Sequence, residues 1–146
     1  MPLVKPENPV SLDQCQLIEF PQIRDPRGAL TFLEWNRQVP FEVKRIFYIY
    51  DVPEGHGRGA HAHHDLHQML ICLSGGLTVH LDDGRSKRAV CLDKPWQGLH
   101  IPPRIWAAED SFLKNTIYMV LASDTYKPES YIHDYQAFLE TVRTHD

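Results

Sequence analysis

The sequence predicts an all-β protein, built as an antiparallel sandwich or barrel with one short helix near its C-terminus. Proline and glycine divide the chain into many short apolar segments rather than a few long ones. These segments are rich in Ile, Val, Leu, Tyr and Phe, and they lie about 8 to 12 residues apart, which is typical of such folds. A chain of 146 residues has the usual size of one domain, so we expect a single domain over residues 1–146.

Seven apolar segments are the predicted strands. In chain order they are residues 29–35, 43–50, 68–73, 77–81, 89–92, 98–101 and 116–121. Ser74-Gly75-Gly76 and Asp82-Asp83-Gly84 flank the fourth segment, and glycine supplies the positive φ that tight hairpin turns require. We therefore expect a ladder of hairpins in this part of the chain.

The pattern of apolar residues changes after Pro128. Tyr131, Tyr135, Phe138 and Leu139 recur at helical spacing, which predicts one short amphipathic helix. We interpret its aromatic stripe as core packing rather than as a ligand site.

Composition excludes several classes of protein. No apolar run approaches the roughly 18 residues of a membrane-spanning helix, and a net charge of −4 without a basic stripe gives no site for nucleic acid. The N-terminus lacks the apolar run of a secretory signal. Cys15, Cys72 and Cys91 are widely spaced, which is unlike a disulfide framework. These features indicate a cytoplasmic protein, in which a few arginines would hold any anionic ligand.

Histidines cluster in one short stretch. The chain has nine, and four of them fall within residues 61–67. We predict that His61 and His63 lie on one strand, where alternate side chains share a face. Because the ordinary pKa of histidine is about 6.5, two imidazoles on one face suit proton transfer near neutral pH.

The surroundings of these histidines resemble the first conserved motif of the cupins. That motif is a glycine, five residues, His-x-His and a later glycine, and here Gly55, His61, His63 and Gly75 hold those positions. The resemblance implies a single-domain cupin, which is a jelly-roll β-barrel, followed by the short C-terminal helix.

Two departures from the cupin pattern concern metal binding. Gln68 stands where the motif has a glutamate, and Ala107 stands where a histidine usually follows the second motif. Only two of four expected ligands remain, although His67 offers a third, and a transition metal needs several matched ligands. We therefore predict no metal and no cofactor. A metal-dependent cupin enzyme, such as a dioxygenase using His61, His63 and His67, stays open as an alternative.

A longer stretch is similar to one enzyme family in particular. The run from Arg58 to Gly75 resembles the core of the nucleotide-sugar 3,4-ketoisomerases, which act on thymidine diphosphate-linked 4-keto-6-deoxyhexoses. Further similar segments are residues 25–30, 40–45, 81–84, 97–103, 120–123 and 131–135. Together they span about residues 17–139.

The resemblance implies an isomerase that moves the ketone from C4 to C3 of the hexose without a metal. Carried over by position, His61 and His63 are the acid/base groups, and Arg27 stabilises the enediolate or holds a substrate oxygen. Arg45 and Arg58 are candidates for the diphosphate, because guanidinium forks suit phosphate oxygens.

Other substrate contacts are expected from Gln68, Tyr48 and Trp106. Phe47 departs from the family, whose members often have a tyrosine there, and a phenyl ring donates no hydrogen bond. A noncatalytic cupin that only binds a sugar nucleotide stays open as a further alternative. The resemblance also implies a homodimer with exchanged N-terminal strands, which the Pro-rich segment before Asp13 would allow.

Overall fold

The computed structural model describes residues 10–144, and this part of the chain is mostly strand. Its strands are β1 (Gln16–Glu19), β2 (Gln22–Asp25), β3 (Gly28–Thr31), β4 (Arg45–Ile49), β5 (Arg58–His63), β6 (Gln68–Ser74), β7 (Leu77–Asp82), β8 (Lys87–Leu92), β9 (Gln97–Ile101), β10 (Trp106–Asp110), β11 (Ile117–Ala122) and β12 (Tyr131–Ile132). One α-helix, α1 (Tyr135–Thr144), follows, and short 3-10 turns occur at Leu12–Gln14 and Pro128–Ser130.

Two five-stranded antiparallel sheets form a jelly-roll sandwich. The first sheet has the order β1-β9-β6-β11-β4 and the second β12-β5-β10-β7-β8. The main core lies between them and includes Leu70, Leu99 and Tyr118 from the first sheet with Val79 and Leu81 from the second. The all-β prediction is confirmed, and the two sheets form an open sandwich rather than a closed barrel.

The outer face of the first sheet is covered by the chain that leads into β4. Phe20, Val39 and Phe41 are buried there against Met69 and Ile71 of β6. Because β6 is thus covered on both faces, its residues 68–72 are all buried, which explains the continuous apolar run that predicted it.

The helix packs against the outer face of the second sheet. Asp134 accepts a hydrogen bond from the backbone N–H of Ala137 at 3.0 Å, which caps the first turn of the helix. Phe138 is fully buried, with Tyr135 and Leu139 beside it, as the predicted stripe requires. The predicted aromatic stripe includes one residue that is not helical, because Tyr131 lies in β12.

The hairpin of β2 and β3 projects from the sandwich as a separate two-stranded sheet. The predicted strand over residues 29–35 is too long, because β3 ends at Thr31. Every residue of this hairpin except Thr31 is exposed, so no alternation of buried and exposed positions marked β2 in the sequence.

The N-terminal region lies partly outside the described residues. Most of the Pro-rich segment proposed to permit strand exchange is in residues 1–9, which the structure does not describe. Within the described part, β1 pairs with β9 of its own chain, with Gln16 opposite His100. No helix within residues 10–144 has the length and apolarity needed to cross a membrane.

Candidate active site

A cavity of about 380 Å³ lies between the two sheets at one end of the sandwich. Its lining comes from both sheets and from β12: Arg45, Phe47, Tyr48, Ile49, Arg58, Gly59, His61, Gln68, Glu109, Tyr118, Val120 and Tyr131. Five residues predicted from the sequence thus meet there, since Arg45, Tyr48, Arg58, His61 and Gln68 all line it. Its walls combine charged and polar groups with the apolar Phe47, Ile49 and Val120, and a concave pocket of this size is typical of small-ligand binding.

A bulge in β5 presents the two histidines. The pairing with β10 shifts from His61 opposite Ala107 to Gly59 opposite Ala108, so Ala60 is an extra residue. Gly59 and Ala60 both have positive φ, at 82° and 61°. Bulges turn side chains to a new direction and are common beside active sites. Beyond this bulge the imidazoles of His61 and His63 lie together, with ring centroids 4.9 Å apart.

The two histidines differ in depth. His61 lines the cavity, whereas His63 is only 5% exposed and lies behind it. Neither ring nitrogen of His63 has a hydrogen-bond partner within residues 10–144. Burial lowers the pKa of His61, and burial together with the charge of His61 lowers the pKa of His63 to about 3. Both imidazoles are therefore neutral near pH 7.

Two aromatic residues complete the histidine cluster, and the sequence did not single them out for the site. The Tyr131 ring lies 4.3 Å from His63 and 5.0 Å from His61, measured between centroids. His133 stacks on Tyr131 at 5.4 Å. Both residues fall in the segment 131–135 that resembles the ketoisomerases, which was the available signal.

Arg45 lies between the cavity and a neighbouring cleft. Its guanidinium carbon is 4.6 Å from the centre of the Phe47 ring and 5.1 Å from that of Tyr126. The second cleft, of about 250 Å³, is bordered by Arg45 and Tyr131 as well, so the two spaces adjoin. Together they form an elongated site with a guanidinium at the junction.

Two predicted substrate contacts point elsewhere. The Trp106 ring packs under the helix, 5.3 Å from Tyr135 and 5.7 Å from Phe138. Tyr48 borders the cavity, but its ring is 59% exposed and lies beside that of Tyr50. The orientations of both rings follow from strand parity, because alternate residues of a strand face opposite sides. Phe47 and Ala107 take the inward positions.

Arg27 is not at the cavity of its own chain. It lies in the turn of the β2–β3 hairpin, its side chain is 89% exposed, and it binds Asp25 at 2.7 Å. The expected contact of Arg27 with the sugar therefore does not form within a single chain of this structure.

The ligand set of the metal-dependent alternative is not assembled. The His67 Nδ1 is 3.1 Å from Nε2 of His100, and both rings pack near Phe41 on the outer side of the first sheet. No group of three or more His, Cys, Asp or Glu residues within 10–144 has an arrangement that would hold a metal ion. His67 is thus engaged away from His61 and His63.

A buried carboxyl group is the main feature that sequence reasoning missed. Glu109 lines the cavity and accepts a hydrogen bond from the Tyr118 hydroxyl at 2.9 Å. Burial raises the pKa of Glu109 to about 7, against the opposing effects of Tyr118 and Arg58. It was missed because nothing in the local sequence shows that β10 turns Glu109 inward.

The chain is a cupin-like jelly roll, and its inner cavity is lined by His61, two arginines and Glu109. The chain belongs to the WxcM-like, C-terminal family (FdtA), whose model matches residues 13–143. It is 42% identical over 127 residues to a TDP-4-oxo-6-deoxy-alpha-D-glucose-3,4-oxoisomerase of Aneurinibacillus thermoaerophilus, covering 87% of this chain and 91% of that protein.

Solved structures agree with this family. A 3,4-ketoisomerase from Helicobacter canadensis has a TM-score of 0.86 and 40% identity, covering 88% of this chain and 97% of that one. A sugar 3,4-ketoisomerase from Thermoanaerobacterium thermosaccharolyticum in complex with TDP has a TM-score of 0.89 and 34% identity, covering 92% and 98%. The ketoisomerase resemblance seen in the sequence is confirmed.

Proposed function

We propose that this protein is a 3,4-ketoisomerase of a TDP-linked 4-keto-6-deoxyhexose. The observation that supports this most is the cavity in which His61 and Glu109 lie among arginines, in a chain that is 42% identical to a 3,4-oxoisomerase. Moving a ketone from C4 to C3 requires removal of a C–H proton, stabilisation of an enediol and return of a proton at the neighbouring carbon. The lining supplies groups for each step.

His61 is the proposed base for the proton on C3. It faces the cavity, and burial keeps its imidazole neutral at neutral pH. His63, edge-on to His61 at 4.9 Å, shares the acid/base role. When His61 takes up the proton, its positive charge meets no like-charge repulsion from His63, because the His63 imidazole is neutral.

The diphosphate is proposed to lie along Arg45 and Arg58. Both guanidinium groups border the cavity, and Arg45 also borders the adjoining cleft. We therefore propose that the sugar lies in the cavity and the nucleotide toward the cleft. Gln68, which is buried on the cavity wall, is a proposed hydrogen-bond partner for the sugar.

The decisive experiment is proton exchange followed by NMR. TDP-4-keto-6-deoxyglucose is incubated with the protein in deuterium oxide, and the C3 proton signal and the 3-keto product are recorded over time. We expect wild type to lose the C3 signal and form product, and His61→Ala to do neither. His80→Ala is the matched control, since His80 pairs with Asp110 on the outer face at 2.9 Å. TDP binding without exchange by wild type would instead establish the noncatalytic alternative.

The proposed partner of the chain is a second copy of itself. The β2–β3 hairpin exposes Ile23 and Leu30, each by 56%, and carries Arg27 at its tip. In a dimer with exchanged hairpins, Arg27 would enter the partner's cavity. This would explain how Arg27 can contact the sugar although it lies far from the cavity of its own chain. The cytoplasmic location expected from the sequence stays a prediction.

Mixing two inactive variants tests this exchange. Arg27→Ala and His61→Ala are unfolded together and refolded as a mixture. If Arg27 serves the partner's cavity, each mixed dimer has one intact site, and about a quarter of the wild-type activity returns on random pairing. A mixture as inactive as either variant alone would refute the exchange.

A further inference from the structure

Glu109 and Tyr118 form a polar pair in the inner wall of the cavity. Tyr118 is 1% exposed and lies on β11 of the first sheet, while Glu109 lies on β10 of the second. Their hydrogen bond, at 2.9 Å, crosses the interior of the sandwich. Withdrawing a carboxylate from water costs free energy, and ionisable groups with strongly shifted pKa values are concentrated at functional sites.

The carboxyl group is held close to the strand that carries the histidines. Tyr118 occupies Oε1, and Oε2 lies directly against Gly59, where any Cβ would overlap it. Gly59 also lines the cavity, two residues before His61. Glu109 and His61 are therefore on one wall, with the carboxyl group against the backbone of Gly59 in β5.

The charges around Glu109 leave its proton exchangeable near neutral pH. Burial raises its pKa to about 7, whereas the Tyr118 hydrogen bond and the positive charge of Arg58 act in the opposite direction. Titratable groups that face this part of the interior are Arg58 and His61 from β5, Tyr118 from β11, Cys72 from β6 and Arg45 from β4. The apolar Val79 faces it from β7.

We propose that Glu109 moves the proton between the two oxygens of the keto sugar, while His61 moves the proton between the two carbons. This inference rests on the ketoisomerase function proposed above. It also gives the cavity a hydrogen-bond donor, which the Phe47 ring of the opposite sheet cannot supply.

The two half-reactions balance. In the first, His61 takes the proton from C3, the C–H electron pair forms the C3=C4 double bond, and the ketone oxygen O4 takes the proton of Glu109. In the second, the Glu109 carboxylate takes the proton from O3, the O–H pair forms the C3=O3 bond, and C4 takes the proton back from His61. Glu109 and His61 end in their starting forms, and no other reagent is needed.

The test compares Glu109→Gln with Asp110→Asn. The amide of Glu109→Gln would keep the shape of the carboxyl group and accept the Tyr118 hydrogen bond but transfer no proton, so we expect isomerisation to slow by roughly 10²- to 10⁴-fold. Asp110 is the neighbouring carboxylate on the outer face, paired with His80, and its variant should match wild type. TDP affinity and the unfolding temperature show whether each variant is folded.

The pH profile separates proton transfer from a structural role. Because the first half-reaction needs protonated Glu109, kcat of wild type should fall as the pH rises through about 7, and Glu109→Gln should lack this decline. Tyr118→Phe removes a hydrogen bond that lowers the pKa of Glu109, so it should move the decline to higher pH. An unchanged decline in both variants would overturn the proposal.

A direct titration completes the test. Infrared difference spectra of wild type between pH 5.5 and 8.5 should show loss of a carboxylic-acid C=O band that is absent in Glu109→Gln. An active wild type that lacks this band, or a Glu109→Gln variant with the wild-type rate, would refute the role of Glu109 and leave the proposed function standing. A wild type that forms no 3-keto product would refute the proposed function, whatever Glu109 does.

Discussion

The buried His63 should make the protein lose stability in mild acid. Its pKa in the folded protein is about 3, lowered mainly by burial, compared with about 6.5 in the unfolded chain. The unfolded chain therefore binds more protons between these two values, so stability falls as the pH decreases below about 6.5 and continues to fall toward pH 3. At 5% exposure, water screens this imidazole little.

The expected magnitude follows from the two pKa values. At pH 5 the difference in proton binding contributes about 2 kcal/mol of lost stability, and the full shift corresponds to about 5 kcal/mol below pH 3. This is a large part of the roughly 5–15 kcal/mol that stabilises a typical domain. His100, whose pKa is lowered to about 4 by burial and by His67, adds a loss of similar size at pH 5 and a smaller one at lower pH.

The assay is urea unfolding of wild type and His63→Gln at pH values from 7.5 to 4.5. From pH 7.5 to 5, wild type should lose about 2 kcal/mol more unfolding free energy than His63→Gln, because glutamine does not titrate. NMR of the His63 ring proton should show no titration above pH 4. Equal pH dependence of the two proteins would show that His63 is not held neutral by burial.

Two further predictions concern residues on opposite sides of the second sheet. Gly59→Ala should lower stability by about 1–2 kcal/mol, because its backbone is left-handed at φ 82°. It should also slow isomerisation, because the new Cβ displaces the Glu109 carboxyl group. Urea unfolding measures the first effect and kcat the second, and a wild-type kcat would contradict the contact between Gly59 and Glu109. Trp106→Ala should lower the free energy of unfolding by about 2–4 kcal/mol, because packing against Tyr135 and Phe138 is lost. KM should not change. A raised KM would support the substrate contact first expected of Trp106.

The sequence predicted those parts of the site that depend on local spacing. His61 and His63 are two residues apart on one strand, so their shared face follows from the period of a β-strand alone. Gln68 was found through its fixed distance from that motif. Strand β6 was found because both of its faces are covered, which leaves an unbroken apolar run.

The remaining parts depend on which strands meet and which residue of each faces inward. Trp106 and Glu109 lie on one short strand, but the sequence does not show its parity, and a shift by one residue exchanges the two faces. Tyr131 reaches the histidines through a two-residue strand that pairs with the end of β5, with Tyr131 opposite His63. So short a strand has no periodicity to detect.

The proposed acid/base assignment rests on environments that separate the pKa values of neighbouring groups. Burial lowers the pKa of His61 and raises that of Glu109, so a neutral base and a protonated acid coexist at one pH. Groups whose pKa values are moved apart in this way are suited to opposite roles in one reaction. If the cavity wall left both groups in water, the histidine would be protonated for more of the time and so less often free as a base. The carboxyl group would be ionised and would have no proton to donate. The apolar surroundings of the cavity, including Phe47 and Val120, are therefore part of the proposed chemistry.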